Sequence, residues 1–286
     1  MGAWRTSRVR QVIESWFRLI FGALIAAGRT VTSREVRAVA GGIAFFFMIG
    51  LLPLLGLGVF LFDAILPEED ANRLLADGLG VLPSPYRAAA EAQLEARQAT
   101  SGSGWHLLAG GLAGLWGAIT GTKVLIEGLH VACRVTERPG LLVYQALALV
   151  VAIIAVFASG VIYPIAHAID GIIVRIPGLS ALGRMWLDAL NLTFGAAAIA
   201  LVYHIVLNRR TASGRACLIG AGTATLLWLL AGRALSGYFA LGSFSDVYGV
   251  LTGSMFFLLW LYVSSTAILF GGALAAEFTQ AVRNEN

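Results

Sequence analysis

Apolar residues in this chain of 286 gather into six long stretches, and nearly all of the charge falls between them. A membrane-crossing helix needs about 20 apolar residues at a rise of about 1.5 Å each. Residues 38–62 carry no charge, and 105–122 carry none until Lys123 closes the stretch. The third stretch, from 141 onward, is uncharged and reaches Pro164, which marks its end. The fourth, up to 207, is interrupted only by polar Asn191 and by His204 near one end. The fifth begins at 216 and meets Arg233, and the sixth runs 247–276 without a charge, long enough to span while tilted. The predicted spans are 38–62, 105–123, 141–166, 188–207, 216–235 and 247–276.

Residues 1–37 follow a different pattern. Val9, Ile13, Trp16, Phe17, Ile20 and Leu24 recur at three- and four-residue spacing, while Arg8, Arg10, Glu14 and Arg18 fall largely elsewhere. That spacing predicts a basic amphipathic helix lying in the membrane interface. A secretory signal with 19–28 as its apolar region is the competing reading; against it, the apolar set begins before Arg18. Between the first two spans lies the longest loop, 63–104. Its Pro67-Glu68-Glu69-Asp70 reads as a helix start, with acidic residues at the positive end of the dipole. Pro83-Ser84-Pro85 would then join two short helices over 71–79 and 86–98. The predicted fold class is all-α: a cytoplasmic amphipathic segment, 1–37, then a polytopic domain, 38–286, of six transmembrane helices with a helical outer loop.

Composition sharpens this reading. Charged residues make up 13% of the chain, against roughly 25% in a soluble domain, and apolar residues make up 58%. The mean hydropathy is +0.80. A net charge of +4 with a pI near 9.4 suggests a nucleic-acid partner at first sight. The placement of the arginines argues against one. With the N-terminus inside, the inner segments hold 13 arginines and the outer segments 5. That bias is the mark of cytoplasmic loops and puts both termini in the cytoplasm. Cys133 and Cys217 then fall on the reducing side, where no structural disulfide forms, and both read as small packing residues.

Ionisable groups inside spans are costly, so the few present stand out. Lys123, the one lysine, has Glu127 at i+4 on the same helix face. The pair either meets an anionic substrate in a cytoplasm-facing cavity or forms a helix-end pair with Lys123 reaching the interface. Arg233 follows seventeen uncharged residues; it either binds phosphate in a cavity or reaches the outer headgroups beside Asp188 or Asp246. Glu277 ends the last span, where an isolated carboxylate opposes the helix dipole and calls for a partner such as Arg209, Arg210 or Lys123. Pro53, flanked by Gly50, Gly56 and Gly58, removes a backbone hydrogen bond in mid-span and marks a kink that lines a cavity or packs against protein. Gly110-x-x-x-Gly114 and Gly117-x-x-x-Gly121 mark a close-packing face on the second span. The four histidines are scattered singly along the chain, and no catalytic residue, metal or cofactor is expected.

The chain resembles the YihY/BrkB family of bacterial inner-membrane proteins, once labelled ribonuclease BN, from about residue 10 to 278. The first span carries Ala44-Phe45-Phe46 followed by Pro53, and Asn208-Arg209-Arg210 precedes the fifth. The most specific part is C-terminal: Phe244-Ser245, Tyr248-Gly249, Trp260-Leu261-Tyr262, Gly271 and Glu277 follow the family's order. Gly50 stands where the family often has Ser, His130 where it often has Asn, and Cys133 where it has an aromatic residue. The resemblance implies an inner-membrane location and a link to lipid or lipopolysaccharide export.

Together these readings predict a transporter or flippase-like protein for an anionic lipid or other amphiphile, with membrane lipids as partners. Lys123, Glu127, Arg233, Tyr248 and Glu277 are the candidate substrate-binding residues, and Pro53, Gly50 and Gly56 the candidate hinge. The alternative is a membrane scaffold in an envelope lipid-transport bridge. In that reading 63–104, with seven carboxylates against three arginines, docks a periplasmic protein. Ribonuclease activity fits poorly, because basic residues spread along the inner boundary suit lipid headgroups better than a nucleic-acid groove.

Overall fold

Helix is the one regular element among the described residues of the computed structural model, which are 19–65, 104–135, 140, 143–148, 150–151, 180–207, 211–241 and 251–285. The short α1, Leu19–Val31, leads through a tight turn into α2, Arg34–Ile65. Then come α3, Gly104–Ala132, α4, Ser180–Val206, α5, Gly214–Leu241, and α6, Leu251–Glu285. Residues 143–148 are also helical. The all-α expectation therefore holds for the described residues. The loop region 66–103 and residues 1–18 lie outside them.

Local chemistry sets the helix ends. Ser33 caps α2, its hydroxyl accepting from the Val36 amide at 3.4 Å, and Ser213 caps α5 by accepting from the Ala216 amide at 3.3 Å. Each cap satisfies a backbone donor that has no partner inside the first turn. At its other end α3 closes with Arg134 in the left-handed region at φ 51°. The Val135 amide donates to the His130 carbonyl at 2.9 Å, and the Arg134 amide to Val131 at 3.2 Å. That is a Schellman closure, a place usually filled by glycine. The helix α3 runs nine residues beyond Lys123, where the predicted span ends, and carries Glu127 on the same helix as the i+4 spacing expected. Residues 124–132 are apolar apart from Glu127 and His130, so nothing breaks the helix before this closure.

Two stretches among the described residues are long and apolar enough to cross a membrane: Gly214–Leu235 and Met255–Asn284. Only 22% of the apolar window of the first and 44% of the second is buried within the chain. A core helix of a soluble protein would be mostly covered. Large apolar side chains instead stand exposed on every long helix, among them Phe45 on α2, Trp116 on α3, Phe194 on α4, Leu226 on α5 and Met255 on α6. Exposure on that scale marks surfaces meant for lipid or partners.

The chain forms two compact units. One comprises Met1–Val39, Ile126–Leu230 and Thr266–Asn286; the other comprises Ala40–Leu125 and Ala231–Ser265. In the second unit α2 and α3 run antiparallel and touch through glycine. A methyl at Gly117 would lie 2.5 Å from the Gly50 Cα, one at Gly121 3.4 Å from the Phe47 ring, and one at Gly42 3.6 Å from Val124. The close-packing face expected from Gly117-x-x-x-Gly121 is thus a helix–helix contact.

In the first unit α5 and α6 cross antiparallel in the same manner. Gly220 faces the Gly271 carbonyl and Gly271 faces that of Gly220. Ala216 and Ala224 on α5, and Ala267 and Ala275 on α6, continue the small-residue stripes one turn away on each side, all buried. Two turns on, the Ser213 amide donates to the Thr279 hydroxyl at 3.0 Å, tying the start of α5 to the end of α6. Small residues let backbones approach closely, which maximises dispersion contact where lipid offers no hydrophobic drive.

Gly271→Ala places a methyl 2.7 Å from both the Ala224 Cβ and the Tyr203 hydroxyl. It is expected to lower stability by about 1–3 kcal/mol, read as a fall in Tm of the detergent-solubilised protein. Gly222→Ala, with open space around it, should leave Tm unchanged or slightly raised. Arg134→Gly should raise Tm, because glycine adopts the left-handed closure at no steric cost.

Candidate functional site

In the first unit α3, α4 and α6 meet around Tyr203. Tyr203 on α4 is fully covered, and its hydroxyl donates to the Ile268 carbonyl of α6. One turn further along α6, Gly272 leaves room for α3. A methyl there would lie 2.7 Å from a Leu129 methyl and 3.5 Å from the Cys133 sulfur. The adjacent Gly271-Gly272 pair thus receives α5 on one side and α3 with Tyr203 on the other. His130 is buried on the same turn of α3. Cys133 and Cys217 are buried free thiols. Burial pushes the Cys133 thiol well above its ordinary range, and the nearby Cys217 and Glu277 push it further. A thiol so held stays protonated, which suits packing and not nucleophilic chemistry.

The structure places the candidate residues unevenly. Lys123 and Glu127 are both half-buried on α3, each held by an interaction with a neighbour. Lys123 sits nineteen residues into its helix, about 28 Å from the start along the axis. Arg233 lies at the same depth of α5, about 28 Å from Gly214, and is exposed. Glu277 is half-buried on α6, close enough to Cys133 to act on it electrostatically. Gly50 is buried at the Gly117 contact. The helix α2 continues through Pro53 and Gly56 without a break in its assignment. Tyr248, Asp246, Arg209 and Arg210 lie outside the described residues, as does most of the 63–104 docking loop. Among the described residues no three His, Cys, Asp or Glu side chains converge on a common point.

Sequence reasoning overlooked Tyr203 and the Gly220–Gly271 crossing. The signal for the crossing was present: Ala216, Gly220 and Ala224 repeat at four-residue spacing, as do Ala267, Gly271, Ala275 and Thr279. Tyr203 carried no such sign, since a tyrosine near a span end reads equally well as an interfacial residue.

Comparison with known proteins places these features in context. The chain matches the family described as Virulence factor BrkB over residues 14–286. It is 24% identical over 255 residues to a Bacillus subtilis protein named as ribonuclease-like, YfkH, covering 86% of this chain and 90% of that one. It is 37% identical over 92 residues to a UPF0761 membrane protein of Alcanivorax borkumensis, covering 32% of this chain and 21% of that one. No solved structure matches.

Burial of Cys133 and Cys217 leads to a direct test. Neither thiol should react with N-ethylmaleimide in the folded protein between pH 7 and 9, and both should react after denaturation. Mass spectrometry of the labelled chain distinguishes the two states.

Proposed function

The chain belongs to the BrkB family of membrane proteins, and from that premise we propose that it moves an anionic lipid or similar amphiphile across the bacterial inner membrane. In this reading it crosses the membrane six times, with both termini in the cytoplasm. Helices α2 to α6 supply five spans, and 141–166 supplies the sixth. Their lengths of 27 to 35 residues, about 40–52 Å, exceed the hydrocarbon thickness of about 30 Å. The arginine bias of 13 inner to 5 outer supports this orientation.

One observation carries the transport reading: Lys123 and Glu127 are each half-buried on a helix, Gly104–Ala132, that has no other ionisable residue apart from His106 and His130. Ionisable residues at membrane depth cost about 2.5–3.5 kcal/mol near a helix centre, and in such helices they mark substrate or ion pathways. Lys123 offers a cation to a phosphate or carboxylate headgroup, with Glu127 holding it in place on the same helix face. Exposed Arg233 supplies a second cation on α5. The ribonuclease-like name of the Bacillus relative does not carry over in this reading. The described carboxylates of the set, Glu127 and Glu277, are half-buried on apolar helices, a setting that suits a lipid headgroup better than a hydrated nucleic-acid strand. The protein acts as a carrier of amphiphiles and not as an enzyme.

Proteoliposomes with a fluorescent phosphatidylglycerol and a membrane-impermeant quencher test the reading. The purified protein should accelerate the loss of inner-leaflet fluorescence, and Lys123→Ala should lower that rate at least about tenfold, the loss of one charge-assisted contact. A wild-type rate equal to that of empty vesicles overturns the proposal.

A further inference from the structure

Helix α1 carries apolar side chains on both of its sides, and they differ in kind. Ala23, Ala27, Thr30 and Val31 are buried in the first unit. Phe21 and Ile25 are 58% and 44% exposed, and at about 100° per residue they share a side of the helix turned away from the buried set. Small residues thus face the protein while bulky ones face away. A helix bathed in water would show the reverse. Arg29 borders the bulky strip, and Arg34 and Arg37 follow one turn into α2; all three are exposed. The turn between the helices is held by the Thr32 amide and hydroxyl, which donate to the Gly28 carbonyl at 3.0 and 2.9 Å. Arg29 stands one turn beyond Ile25 on the same side of α1.

We propose that α1 lies in the plane of an anionic lipid surface, with Phe21 and Ile25 at the acyl boundary and Arg29, Arg34 and Arg37 on headgroup phosphates. Bulky apolar residues bordered by arginine match such a boundary in both polarity and charge. A protein partner would cover the strip without any need for the arginines. The inference rests on the chain being a membrane protein and is independent of transport.

The test uses the full chain in nanodiscs of phosphatidylcholine and phosphatidylglycerol, spin-labelled at Phe21→Cys, Ile25→Cys or Leu226→Cys. The two native thiols are buried, and the unmutated chain sets the background. Labels at 21 and 25 should collide with oxygen in preference to a water-soluble nickel complex. Preference for nickel there, or shielding from both reagents as under a protein partner, overturns the inference. The label at 226, exposed on α5, separates the two claims: lipid contact at 226 with water at 25 sinks only the α1 assignment, whereas water at both sinks the membrane reading as well. In a second measurement, the purified triple variant R29Q/R34Q/R37Q should retain at least about threefold less phosphatidylglycerol relative to phosphatidylcholine than the wild type. Equal retention overturns the headgroup contact.

Discussion

Helices surrounded by hydrocarbon gain nothing by hiding apolar surface from one another, so close packing must hold them together. In this protein that constraint is met by glycine facing glycine: Gly220 against Gly271, and Gly50 against Gly117. The first contact brings α5 and α6 to backbone distance, and the adjacent Gly272 then admits Leu129 and Cys133 from α3 beside Tyr203 from α4. Without the Gly271-Gly272 pair, neither α5 nor α3 could approach α6 closely. The Tyr203 hydroxyl would lose its carbonyl partner on α6.

The same constraint explains which side chains face outward. Once small residues occupy the contacts, the bulky ones have no place inside. Leu218, Leu226 and Leu230 on α5 are accordingly exposed while Ala216, Ala221 and Ala224 are buried. This inversion of the soluble pattern continues in α1, where alanines face the protein and Phe21 and Ile25 face away. Charge follows it too. Arg29, Arg34, Arg37, Arg134, Arg215 and Arg283 of the first unit are all exposed near helix ends.

Much of this could be read from the chain. Uncharged stretches located the long helices, because the length a bilayer demands is written directly in composition. Gly117-x-x-x-Gly121 announced a packing face and became one. The end of α3 was not legible, since Lys123 marks the end of the uncharged stretch and not that of the helix. That end depends on the backbone closure at Arg134, which side-chain pattern does not encode. Tyr203 was invisible because its role exists only against Ile268, 65 residues away. For the candidate site, spacing put Lys123 and Glu127 on one face of α3, and the structure finds both half-buried.

Behind the packing, the exposed apolar faces and the charge pattern stands a single claim, that lipid surrounds these helices. Washing disrupted cells with alkaline carbonate, without detergent, tests it most directly. The account predicts that the protein stays with the sedimented membranes and is released only by detergent. Recovery of folded protein in the aqueous supernatant would contradict it.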